Sequence, residues 1–163
     1  RWVDAGRSGR DALDKWSRLN VPGFLGSYLH QLDPKGRVSL PAPFRRGRDG
    51  ASFVLLQTQP DALSLYPEEA WGDVQAELRE MSKRKPRLRN QVLRVTAGAV
   101  EVTPDKQGRI LIPEKMRMAA SLGTEALVVG AINHIEIWDP AKFEDATRPS
   151  DDEFDQHIDN VFA

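Results

Sequence analysis

The amino-acid sequence predicts an α+β fold built from two tandem copies of one unit, and three observations carry that expectation. First, Leu32-Asp33-Pro34-Lys35-Gly36-Arg37-Val38-Ser39-Leu40-Pro41 returns as Pro104-Asp105-Lys106-Gln107-Gly108-Arg109-Ile110-Leu111-Ile112-Pro113, 72 positions later. The same gapless offset carries Phe44-Arg45 onto Met116-Arg117 and Leu63-Ser64-Leu65-Tyr66 onto Ile135-Glu136-Ile137-Trp138. One offset held over such a length marks a duplicated structural unit. Second, apolar residues alternate with polar ones in short segments bounded by Gly, Pro and Asp, as half-buried strands require. Third, helix-start chemistry follows the last strand of each copy at equivalent places.

In the first copy the strands are expected at Ser27 to Leu32, Arg37 to Leu40, Ser52 to Gln57 and Leu63 to Tyr66. Those of the second are expected at Ala99 to Thr103, Arg109 to Ile112, Ala126 to Gly130 and His134 to Trp138. Val38 and Leu40, like Ile110 and Ile112, alternate at a period of two and so share an inward face. Pro67-Glu68-Glu69 opens a helix whose Trp71, Val74, Leu78 and Met81 fall on one apolar stripe. Its counterpart takes Asp139 as N-cap and Pro140 at the first helical position, with Phe143 and Ala146 inward. Short helices after Pro41 and Pro113 carry Phe44-Arg45 and Met116-Arg117. The second is expected to run to about Leu122, with Gly123 as its left-handed cap.

These elements divide the chain into five parts: an N-terminal extension (1–23), a first repeat (24–81, core 27–73), a basic linker and helix (82–95), a second repeat (96–146, core 99–142) and an acidic amphipathic tail (147–163). Phe154, Ile158 and Phe162 recur four residues apart in that tail. At 163 residues, 40% apolar and 29% charged, the chain has enough apolar side chain for a folded core. It contains no cysteine, which excludes disulfides and thiolate metal sites and fits a reducing cytoplasm. No apolar run approaches the roughly 20 residues of a membrane helix, and residues 1–20 lack the apolar centre of a secretory signal.

The net charge of −1 hides a segregation along the chain. Residues 24–124 hold 16 basic and 11 acidic groups, whereas 125–163 hold 2 and 10. A basic body with an acidic tail points to a polyanionic partner on one side. The run Lys83 to Arg89 is read first as a solvated connection and second as a phosphate contact.

Within each Asp-x-x-Gly-Arg turn, the aspartate is expected to accept backbone N–H groups two and three residues on, and the glycine to supply φ > 0. A turn needs Asp33 and Gly36, or Asp105 and Gly108, but has no need of arginine at the same offset twice. Arg37 and Arg109 are therefore candidate anion contacts, each held by a charge-assisted pair to its aspartate. Lys35, Lys106, Arg45 and Arg117 are candidate supplementary contacts. Two cationic tips related by pseudo-symmetry suit a repetitive anion such as duplex DNA.

These residues resemble the MraZ family, within the wider group of AbrB-like swapped-hairpin transcription factors. Asp33 to Arg37 and Asp105 to Arg109 match its paired motif, Phe24-Leu25-Gly26 its opening, and Glu136-Ile137-Trp138-Asp139 its late segment. Leu25 stands where many members carry arginine, and residues 1–23 have no counterpart in the family. The resemblance implies swapped-hairpin repeats forming a pseudo-two-fold β-barrel core with peripheral helices. It also implies a cytoplasmic, nucleoid-associated regulator, a repressor of its own division and cell-wall operon, binding promoter direct repeats as a ring of subunits through Arg37 and Arg109. The alternative is a protein-interaction module of the same superfold, working through the acidic tail.

No enzyme is expected: neither a nucleophile elbow nor a phosphate-cradling glycine loop is present. An Arg four residues after each Asp also keeps the two carboxylates ionised, contrary to a shared-proton dyad. His30, His134 and His157 show no metal-ligand spacing. No metal, cofactor, small-molecule substrate or membrane partner is expected.

Overall fold

The computed structural model describes residues 23–149 and 152–163. The N-terminal extension lies outside the described residues, except for Gly23. The elements are β1 (Ser27–Gln31), β2 (Arg37–Ser39), α1 (Ala42–Arg45), β3 (Phe53–Gln59), β4 (Ala62–Pro67) and α2 (Glu68–Arg84). A 3₁₀ turn (Pro86–Leu88) and α3 (Arg89–Gly98) lead into β5 (Val100–Val102), β6 (Arg109–Leu111) and α4 (Glu114–Ala119). The chain continues through β7 (Glu125–Gly130), β8 (Ile135–Trp138), α5 (Pro140–Ala146) and α6 (Asp152–Phe162). All eight strands expected from the period-two pattern form.

Six of them make one antiparallel sheet in the order β1-β7-β8-β4-β3-β5, and the other two form a separate ribbon, β2-β6. β3 pairs with β4 and β7 with β8 inside their own copies, and the remaining ladders cross between copies. β1 of the first copy joins β7 of the second, β5 of the second joins β3 of the first, and β4 meets β8 at the centre. β2 pairs across to β6 with Val38 opposite Ile110. Neither copy completes its own sheet, as expected where a short unit cannot bury its apolar face alone.

The sheet is open: among the described residues its edges, β1 and β5, are not joined by a ladder, so it is not a closed hydrogen-bonded barrel. The ribbon instead packs its inward residues on one face. Val38, Leu40, Ile110 and Ile112 form one core with Leu55, Leu63, Leu65, Ala126, Val128, Ile135 and Ile137, all with 1% or less of their surface exposed. Each such Leu or Ile is worth about 1.5–3 kcal/mol on burial. Phe44 of α1 closes one end, edge-on to Phe24 and Tyr28 at 5.4 Å. The opposite face of the sheet carries the helices, with α2 on β3 and β4, α3 on β3 and α5 on β7.

Several helix details differ from the expectations. Pro67 closes β4 as the residue before α2, so Glu68 and Glu69 form the first turn. The α2 stripe is only partly used: Ala70 is buried, Trp71, Val74 and Leu78 are half-buried, and Met81 is 43% exposed. Helix α4 stops at Ala119, and its left-handed residue is Ser121 (φ 56°), not Gly123. The amide of Leu122 donates to Arg117 O and that of Ser121 to Met118 O, a Schellman closure that turns Leu122 back onto the core. At α5, Asp139 caps Lys142 N at 3.1 Å and Phe143 packs on Trp138, but Ala146 is exposed. The Lys83 to Arg89 run, read as a solvated connection, forms the bend of an α2-α3 helical hairpin.

Candidate nucleic-acid interface

Each Asp-x-x-Gly-Arg segment folds as a tight turn. The amide of Gly36 donates to Asp33 O at 2.9 Å and that of Asp33 to Arg37 O at 3.0 Å. Gly108 and Asp105 repeat this at 2.9 and 2.8 Å. The Asp33 carboxylate accepts from the amides of Lys35 (2.9 Å) and Arg37 (2.8 Å), and the Asp105 carboxylate from Gln107 (2.9 Å) and Arg109 (3.0 Å). The partners are thus two and four residues on, not two and three. The amide at the third position is already bonded to the aspartate carbonyl, and the glycine in left-handed backbone (φ 87° and 76°) swings the next amide toward the carboxylate.

The second carboxylate oxygen takes the arginine. Arg37 Nε lies 2.6 Å from Asp33 Oδ2, and Arg109 Nε lies 3.0 Å from Asp105 Oδ2. Arg109 Nη1 also stands 3.9 Å from Asp33 Oδ2, linking the two turns. A guanidinium held through Nε keeps its terminal Nη pair as donors for a bidentate acceptor. Both arginine side chains remain accessible, Arg37 at 31% and Arg109 at 28%. The backbone hydrogen bonds from Arg37 and Arg109 are the leading cause that lowers both aspartate pKa values below the ordinary carboxylate range. Stability linked to them is therefore complete above that range and lost only as pH falls through the depressed values. At neutral pH the arginines stay locked.

The ribbon sets the two arginines relative to each other. Its register pairs Arg37 with Leu111 and Ser39 with Arg109. Since Val38 and Ile110 point inward, Arg37, Ser39, Arg109 and Leu111 share the outward face. Arg37 and Arg109 are then diagonal neighbours, about 7–8 Å apart.

Arg45 and Arg117 occupy a different place from the one their sequence position suggests. Each crosses to the other copy's turn: a Cβ on Gly108 would lie 2.6 Å from Arg45 Cζ, and one on Gly36 would lie 2.6 Å from Arg117 Cζ. Arg45 Nε also donates to Leu40 O at 3.0 Å. These two arginines lie over the glycines and brace the turns while adding charge beside them. Lys35 and Lys106 are exposed at the tips. Six cations therefore surround two carboxylates on one surface. Sequence reasoning missed Ser39 and Leu111, although both sit at the 72-residue offset beside the arginines. Leu111 is 54% exposed, unusual for leucine on a three-residue strand.

Gly108→Ala is expected to destabilise the fold by about 1–2 kcal/mol through the left-handed backbone alone, with Arg45 displaced in addition. Gly72→Ala, in the middle of α2 with nothing within 4 Å of the new methyl, should instead stabilise by about 0.5–1 kcal/mol. Urea denaturation of the two variants checks the contrast.

A second polar cluster lies on β8. His134 Nε2 is 3.0 Å from Glu136 Oε2, and Trp138 Nε1 donates to Glu136 Oε1 at 2.9 Å, with Tyr66 stacked on His134. The His134 bond is the leading cause that keeps the Glu136 pKa low. In the late Glu136-to-Asp139 segment, Glu136 and Trp138 thus join a strand-fixing network, Ile137 is core and Asp139 caps α5. Among the described residues, no group of three or more His, Asp or Glu is placed to hold a metal ion, and no helix is long and apolar enough to cross a membrane.

The fold and this surface define a two-repeat α+β protein that presents aspartate-locked arginines from an inter-repeat ribbon. The chain belongs to the MraZ family: the family described as "MraZ protein, putative antitoxin-like" matches residues 23–94 and again 95–162. Among relatives named "Transcriptional regulator MraZ", that of Pediococcus pentosaceus is 36% identical over 138 residues, covering 85% of this chain and 96% of the relative. The Cutibacterium acnes protein is 36% identical over 140 residues, 86% and 98% of the two chains. That of Acetivibrio thermocellus is 40% identical over 121 residues, 74% and 84%.

Proposed function

We propose that this protein is a DNA-binding transcriptional regulator, a repressor of the division and cell-wall operon that contains its own gene. It acts in the cytoplasm at the nucleoid and has no catalytic role. Protomers assemble as a closed ring, so that modest contacts from each add through multivalency on promoter direct repeats. The observation that carries this reading is the outward face of the β2-β6 ribbon, where Arg37 and Arg109 are fixed by Asp33 and Asp105. A two-stranded ribbon fits the major groove, which is about 12 Å wide, and arginine with two free donors suits guanine O6 and N7 or a phosphate. Lys35, Lys106, Arg45 and Arg117 add sequence-independent attraction. The test is a gel shift on the DNA upstream of the gene with Arg37→Ala and Arg109→Ala combined.

Leu111 and Ser39 supply direction. They occupy equivalent positions in the two copies, yet one is apolar and the other a hydroxyl, so the ribbon presents unlike ends to the groove. An exposed leucine fits a thymine methyl and a serine fits a polar base edge, which selects a non-palindromic element of the kind direct repeats provide. Leu111→Ser makes the ends alike. It should reduce discrimination between an array of direct repeats and the same array with alternate repeats inverted by about 5- to 150-fold, the worth of one base-pair contact. Competition binding with the two arrays is the measurement.

A further inference from the structure

We infer that the acidic helix α6 of one protomer seats in the furrow between α2 and α3 of a neighbouring protomer, an exchange that joins subunits of the oligomer. The inference rests on the oligomeric reading above and names its joint.

The furrow is a groove of about 350 Å³ between the two helices, with Trp71, Leu78, Arg79, Ser82, Val92 and Thr96 on its walls. Trp71, Leu78 and Ser82 follow one face of α2, while Val92 and Thr96 are one turn apart on α3. The same hairpin leaves Met81 43% and Leu93 46% exposed. Its apolar stripe is thus wider than the other described residues of the chain cover.

Helix α6 has the complementary surplus. Phe154 is 65% exposed, Val161 72% and Phe162 81%, and Ile158 falls between them at helical spacing. Residues 79–94 carry seven basic groups and one acidic, whereas α6 carries four acidic groups and no Lys or Arg. The lengths agree as well: the 11 residues of α6 span about 16 Å, as does the stretch of α2 from Trp71 to Ser82. Beyond Trp71 the furrow opens into a hollow of about 520 Å³ that bears Glu68 and Glu101. Those carboxylates set the polarity, with the acid-rich first turn of α6 toward Arg79 and Phe162 toward Trp71. Duplex DNA could use the cations of this hairpin but has no use for a floor of tryptophan, leucine and valine. An amphipathic acidic helix uses both.

Because the chain has no cysteine, introduced thiols are the only ones. Full-length protein carrying Phe154→Cys and Val92→Cys, treated with a short bismaleimide, is expected to give a ladder of multiples of 18.3 kDa on a denaturing gel. The two single variants, mixed, should give the doubled mass. Thiols that join within one chain, or remain unlinked while the native protein is oligomeric, would overturn the inference. Phe154→Glu with Phe162→Glu alters only exposed side chains and should keep the circular dichroism of the native chain while its mass by light scattering falls toward 18.3 kDa. An unchanged mass overturns the inference and leaves DNA binding standing. A wild-type chain that is itself monomeric overturns both the joint and the oligomeric part of the proposed function, and protection of the hairpin by duplex DNA instead of the tail assigns the furrow to nucleic acid.

Discussion

Replacing Arg37 and Arg109 together by alanine is expected to weaken operator binding by about 2–6 kcal/mol per engaged protomer, roughly 30-fold at the least, since each bidentate contact contributes about 1–3 kcal/mol. In an assembly that binds several repeats at once the losses multiply, and the shifted band should vanish at working concentrations. The salt dependence should flatten in parallel, by about one unit of log–log slope for each phosphate contact removed. Both side chains are about 30% accessible and lie on the outward ribbon face, so the substitutions leave the core untouched. Asp33→Asn with Asp105→Asn, in contrast, retains both arginines but weakens the bond that fixes them. Arg148→Ala, which removes a cation of an exposed pair with Asp145, serves as the control and should change nothing. Unchanged binding by the Arg37/Arg109 variant across salt concentrations would remove the basis of the proposed function.

Sequence and structure agree where a local rule and the repeat coincide. Val38, Leu40, Ile110 and Ile112 declared their burial by alternation, and Asp33 with Gly36 declared a turn, because both signals arise within a few residues of one another. The repeat of Arg37 as Arg109 then separated chemistry from turn geometry. What was not legible depended on partners distant along the chain. The crossing of Arg45 onto Gly108 and of Arg117 onto Gly36 needs the swapped pairing of β2 with β6, which no local pattern encodes. The open sheet likewise depends on the edges of β1 and β5, one copy apart. Ser121 took the left-handed cap ahead of Gly123 because α4 ends at Ala119 and not near Leu122, and backbone closure on Arg117 O outweighed the preference for glycine. The helical spacing of Trp71 and Leu78 marks an apolar stripe on α2 but not what it faces, and the two side chains line a furrow at the surface.

Ile110→Ala is expected to cost about 2–5 kcal/mol, as truncation of a fully buried isoleucine does, while Leu111→Ala one residue along should stay within about 0.5 kcal/mol. Ile110 is fully buried and Leu111 is 54% exposed, on opposite faces of the same three-residue strand. The consequence reaches past a local cavity because Ile110 faces Val38 across the only ladder β2 and β6 make among the described residues. With β1 supported by β7 and β5 by β3, neither copy holds a sheet that persists when the other melts. Loss at the ribbon should therefore lower one cooperative transition for the whole chain, against a total stability of about 5–15 kcal/mol for a protein of ordinary marginality. Urea unfolding followed by circular dichroism and by tryptophan fluorescence measures this directly. Coincident curves shifted to lower denaturant are the expected result. Two separated transitions, or a cost below about 1 kcal/mol, well short of what truncating a packed isoleucine removes, would mean that the copies fold independently and that the ribbon is not what unites them.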